Sequence, residues 1–180
     1  MTGAPHALDL LVRSARVMRG CLDGALRADP AGPTPCSAWD LGTLVLHVAD
    51  SAEVLAELLG DSGPVPVSRT DVGCVRAGLA VEELITVAGR APRGRRDVEL
   101  TALTGAFELA VHAWDIGAST GVPAPLPADL ASTLLALAPV VLGDVERAGL
   151  FGAGRPPSPA QCTDTDRLLA LFGRCGTSAR

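Results

Sequence analysis

Apolar residues recur every three or four positions through much of this chain, which is the period of a helix buried on one face. From about residue 6 to 27 they fall at Leu8, Leu11, Val12, Ala15, Met18 and Leu22. The segment DPAGPTP then interrupts the pattern, because its prolines cannot continue a helix. A second helix is expected from Asp40, whose carboxylate can accept hydrogen bonds from first-turn amides. Its apolar face carries Leu44, Val48, Leu55 and Leu58, and it stops before GDSGPVPV. A third covers about residues 72–88, with Ser68 or Asp71 near its start. RAPRGRRDVEL reads as a polar connector with a short extended piece at residues 98–100. TALTGAFELAVHAWDIGAST is apolar almost all round, through Leu103, Phe107, Leu109, Val111, Trp114 and Ile116, so it belongs in the middle of a core. Gly121 is placed to end it.

Beyond the loop GVPAPLPAD a fifth helix is expected over about residues 127–148. Pro127 suits its first turn, and Pro139 should kink or split it. GLFGAGRPPSPAQ reads as an irregular crossing and DRLLALFG as a short terminal helix. There is no internal repeat and no set of strands. The pattern predicts one all-α domain over residues 1–180, a four-helix bundle with additional short helices.

Composition narrows the function classes. At 48% hydrophobic and 19% charged residues, the 180-residue chain can fold around a core. All 15 basic residues are Arg, the net charge is −5, and only Arg93, Arg95 and Arg96 cluster. That is unsuited to phosphate-backbone binding, and 3% aromatic residues are too few for a base-stacking platform. No stretch is apolar and long enough for a membrane span, and the N-terminus lacks the features of a signal peptide. Five cysteines, Cys21, Cys36, Cys74, Cys162 and Cys175, show no CxxC spacing, which points to reduced thiols in a cytoplasmic protein. Each reads first as a small buried hydrophobe. A small-molecule substrate is expected, without nucleic acid or membrane partners; apolar helix surface leaves a homodimer open.

Three histidines are the candidates for chemistry. His6 reads as an exposed residue near the terminus. His47 sits mid-helix beside Leu44 and Val48. Glu108 and His112, four residues apart, share one face of the fourth helix. A carboxylate among apolar residues needs compensation, which a metal ion, an arginine or protonation can supply. With His47 from the second helix, two imidazoles and a carboxylate suit Zn²⁺ with one open position, and equally Fe²⁺, Ni²⁺ or Mn²⁺. The other reading is a Glu108–His112 hydrogen bond with an unrelated His47. Asp115, three residues on, can hold a ligand's second nitrogen or play a structural part. Trp39 and Trp114 read as core residues, Trp39 also as an anchor for the second helix. Cys36 precedes that helix, whose N-terminus favours negative charge; it is a reactive thiol or a packing residue.

PTPCSAWDLGTLVLHVADS and, later, FELAVHAWDIGASTG resemble the DinB-like superfamily. The resembling branch holds the metal-binding N-terminal domain of mycothiol-dependent maleylpyruvate isomerase and its single-domain actinobacterial relatives. In it a PTPC-x-x-W segment leads into a helix carrying L-x-x-H, here Leu44 and His47. A later helix carries acid-x-x-x-His-x-W-D, here Glu108, His112, Trp114 and Asp115. TDTDRLLALFGR is similar to the family's closing helix. The resemblance implies a four-helix bundle with a divalent metal, usually zinc, held by His47, Glu108 and His112, in a cytoplasm where mycothiol is the main small thiol. Ending at Arg180, the chain is expected to lack the isomerase's second domain, so maleylpyruvate isomerisation itself is not expected of it.

Three functions follow. The first is a metal-dependent thiol S-transferase or thiol-assisted isomerase, with mycothiol as cosubstrate attacking a small electrophile. The second is metal-dependent hydrolysis or elimination without a thiol. The third is a metal-binding module without turnover, which the lack of a basic residue close in sequence to Glu108 or His112 leaves open.

Overall fold

The first helix starts where the side chain of His6 accepts a hydrogen bond from the Leu8 amide, at 3.4 Å. His6 is therefore a half-buried helix cap, not the exposed residue expected, and its Nε2 also meets Glu99 at 2.6 Å. A computed structural model describes residues 6–36, 38–60, 73–122, 125–142 and 162–174 of the chain. Among them are six helices: α1 (Ala7–Ala25), α2 (Leu41–Leu59), α3 (Gly73–Arg90), α4 (Arg96–Thr120), α5 (Ala128–Leu142) and α6 (Asp164–Leu171). The protein is all-helical, as the apolar period requires, and its contacts gather into two units, Met1–Pro125 and Leu126–Arg180.

The first unit is a four-helix bundle. Both α1 and α2 lie against both α3 and α4, so α1 faces α2, and α3 faces α4, across the diagonals. Leu8, Leu11, Ala15, Met18 and Leu22 of α1 are buried, and Val12 is half-buried at the margin. On α2, Leu44, Val48 and Leu55 point inward, but Leu58 is 64% exposed. The helical stripe drifts around α2 by its last turn, and Leu59 takes the inward place. Asp40 caps α2 as its position predicts, accepting from the Thr43 amide at 2.8 Å. Residue 72, the first placed on α3, and both its proposed caps lie outside the described residues.

α4 begins earlier than expected. The piece read as extended at residues 98–100 is helical, and Val98 is buried in the first turn. Asp97 and Glu99 there offset the positive end of the helix dipole. α4 is buried on most sides by α1 and α2, and Gly121 closes it at φ 69°, a conformation natural to glycine. Gly105 allows the close approach: a Cβ there would lie 2.7 Å from Leu55 and 3.0 Å from Leu11. Trp114 is half-buried rather than in the core.

The second unit holds α5 and α6, which pack on each other. α5 starts one residue after Pro127, and Pro139 lies within it without ending it. The rest of the fifth helix as expected from sequence, and the crossing after it, lie outside the described residues. α6 starts two residues ahead of the expected segment. Thr163 and Asp166 cap it reciprocally.

Among the described residues, no helix is long and apolar enough to cross a membrane. None of the described cysteines is in a disulfide. Only Cys21 fits the reading of a buried hydrophobe, and burial pushes its thiol up to about 11. Cys36, Cys74 and Cys162 are half-buried; Cys175 is not among the described residues.

Candidate metal centre

Adjacent helices α2 and α4 set the site. α2 presents His47 and Ser51, one turn apart on one face; α4 presents Glu108 and His112 in the same spacing, then Asp115. The three residues expected to act together do lie together. His47 Nε2 is 2.6 Å from Glu108 Oε1, and His112 Nε2 is 3.4 Å from the same oxygen. One donor atom of each residue falls within 4.8 Å of the others. Ligands bonded at 2.0–2.2 Å to a tetrahedral ion stand roughly 3.3–3.6 Å apart. The side chains thus need only small rotations to surround a cation. Ser51, which no motif singles out, donates its hydroxyl to the same Glu108 oxygen at 3.2 Å.

Asp115 resolves its two readings in favour of a support. It is wholly buried, and its Oδ2 accepts from His112 Nδ1 at 2.9 Å. That bond fixes the ring through Nδ1 and turns Nε2 toward Glu108 and His47, the orientation typical of metal-bound histidine. The same oxygen accepts from the Cys36 thiol at 3.3 Å, a contact across 79 residues of sequence. Cys36 is therefore neither an isolated thiol nor simple packing.

Trp39 also changes place. It is half-buried, and its ring lies over the imidazoles, with centroids 4.5 Å from His47 and 6.0 Å from His112. Cys36 and Trp39 ride on one knitted loop. The Thr34 hydroxyl accepts from the Cys36 amide and reaches the carbonyls of Cys36 and Trp39 at 3.0 and 2.9 Å. The Leu41 and Gly42 amides bond back to Gly32 and Pro30.

The cluster polarises itself. Burial disfavours a charge on Glu108, but hydrogen bonds from His112 and His47 outweigh it and hold the carboxyl well below its usual range. Burial likewise opposes charge on His112. Asp115, Cys36 and Glu108 together overcome it and push the imidazole up to about 11. Without a metal the set holds a proton on His112 where a cation's positive charge would sit. Its residues can thus hold either a proton or a metal ion.

No family profile and no solved structure matches the chain. Two curated relatives do: the uncharacterized proteins MT0763 and Rv0738 of two Mycobacterium tuberculosis strains. Each is 31% identical over 165 residues, which span 83% of this chain and 87% of the relative. The chain belongs to the family that these mycobacterial proteins represent.

Proposed function

We propose that this member of the family is a DinB-like, divalent-metal-dependent enzyme that uses a thiol cosubstrate, mycothiol, to transfer onto or isomerise a small electrophile in the cytoplasm. The observation that carries the reading is the convergence of His47 Nε2, Glu108 Oε1 and His112 Nε2, with the far nitrogen of His112 fixed by Asp115. Two imidazoles and one carboxylate suit zinc, and also Fe²⁺, Ni²⁺ or Mn²⁺, with room for one outside ligand. The charges agree: Glu108 and Asp115 bring two negative charges, which one divalent ion between neutral imidazoles balances.

His47, Glu108 and His112 would hold the ion. When bound, it would make a thiol or water sharing it acidic enough to act as a nucleophile near neutral pH. Ser51 orients the Glu108 carboxylate, Asp115 fixes the His112 ring, and Trp39 shields the imidazoles from water on one side. The thiol cosubstrate is supported by the PTPC-x-x-W and H-x-W-D segments through which the chain resembles mycothiol-using proteins.

The test is consumption of mycothiol by the zinc-loaded chain in a panel of small electrophiles. The expected result is metal-dependent loss of thiol that a Glu108→Gln variant does not support. Turnover without thiol would instead indicate hydrolysis or elimination. Metal binding with no turnover in either format would identify a non-catalytic binding module.

A further inference from the structure

We propose that the cluster contains a second cation position, made by Cys36 Sγ, His112 Nδ1 and Asp115 Oδ2, which takes thiophilic divalent ions and cannot be filled together with the His47–Glu108–His112 position. The inference rests on the cation-centre reading above. It differs from that reading in its ligands, in the type of ion and in the way the two positions exclude each other.

Cys36 Sγ lies 3.3 Å and His112 Nδ1 2.9 Å from Asp115 Oδ2, and one donor atom of each residue falls within 4.8 Å of the others. These separations are close to those of ligands around one small ion. Both His112 and Asp115 are buried, while Cys36 is half-buried on the knitted loop.

Both sets share one imidazole, that of His112. A neutral imidazole has one N–H and one lone pair. With the proton on Nδ1, His112 donates to Asp115 and offers Nε2 to the first set. With the proton on Nε2, it donates toward Glu108 Oε1, 3.4 Å away, and offers Nδ1 to the second. Which nitrogen of this one ring gives up its proton to an ion thus selects the position.

Ligand softness decides which ion goes where. The first set has nitrogen and oxygen donors and suits borderline and hard ions; the second adds sulfur and suits soft ones. Filling the second position turns the Cys36 thiol into a bound thiolate. Two protons leave to solvent, the Cys36 thiol proton and the His112 Nδ1 proton; His112 keeps its proton on Nε2, and no electron is transferred.

The experiment uses metal-free, untagged, full-length chain. Cd²⁺ is titrated in while the thiolate-to-cadmium charge-transfer absorption in the ultraviolet is recorded, with the bound metal counted after desalting. Mn²⁺ is titrated separately and followed by loss of the free-ion paramagnetic resonance signal. We expect a Cys36-dependent band that saturates near one Cd²⁺ per chain, disappears in Cys36→Ser and Cys36→Ala, and persists in Glu108→Gln. Mn²⁺ binding should persist in Cys36→Ser and fall at least tenfold in Glu108→Gln. Cd²⁺ added to Mn²⁺-loaded chain should release Mn²⁺ as the band grows. The proposal is overturned if the Cys36 variants keep the full band, if wild type binds Cd²⁺ without it, or if Mn²⁺ stays bound while the band reaches its full height. If Glu108→Gln leaves Mn²⁺ binding intact, the first position fails instead, while the band still reports on the second.

Discussion

A wholly buried carboxylate is tolerated only where donors meet it, and Asp115 has His112 Nδ1 and the Cys36 thiol on one oxygen. If its task is to aim His112, Asp115→Asn should weaken divalent-ion affinity by about 10–100-fold with the far-ultraviolet dichroism unchanged. Calorimetric titration would show this; equal affinity in the variant would leave Asp115 a core residue only. The protonation of the pair gives a second prediction. His112 is raised from an ordinary 6.5 to about 11, so its contribution to metal-free stability is whole below 6.5 and fades as pH rises toward 11. Glu108 is lowered from 4.5, so its contribution is present above 4.5 and is lost on acidification. A cation must displace the His112 proton, so zinc affinity should rise between pH 6 and 8, by up to about tenfold per unit. Affinity that does not change with pH would contradict the proton-for-metal exchange.

Most helices could be read from the chain because local chemistry marks them: the apolar period in α1 and α2, the Asp40 cap, and Gly121 at the end of α4. The start of α4 could not. Arg93, Arg95 and Arg96 suggest a solvated connector, and only packing in the bundle decides that Val98 lies on a helix. The centre divides in the same way. His47, Glu108 and His112 stand out as polar residues on apolar helices. The Cys36–Asp115 bond and the Trp39 cover depend on where a loop lands, far along the sequence from its target. Glycine at 105 also shows its purpose only in the fold. Gly105→Val should push Leu55 and Leu11 aside and destabilise the bundle by about 1–3 kcal/mol, read as a lower urea midpoint. An unchanged midpoint would mean that α4 can move away from its neighbours without cost.

Every donor discussed lies within the unit Met1–Pro125, and the main set joins two separate helices, so a bound ion cross-links the bundle. Ligand linkage then predicts a stabilisation of about 2.7 kcal/mol at free zinc near 100 times its dissociation constant. The melting temperature should rise in wild type and stay fixed in Glu108→Gln. The central claim, that His47, Glu108 and His112 form a divalent-metal centre, is tested most directly by metal content. Untagged protein would be purified beside His47→Ala and Glu108→Gln, and each chain's bound metals counted by plasma mass spectrometry. The prediction is about one divalent ion per wild-type chain, with little or none in either variant. A wild-type chain that carries no metal, even after zinc is offered and the excess removed, would contradict it and leave the three residues as a hydrogen-bonded core.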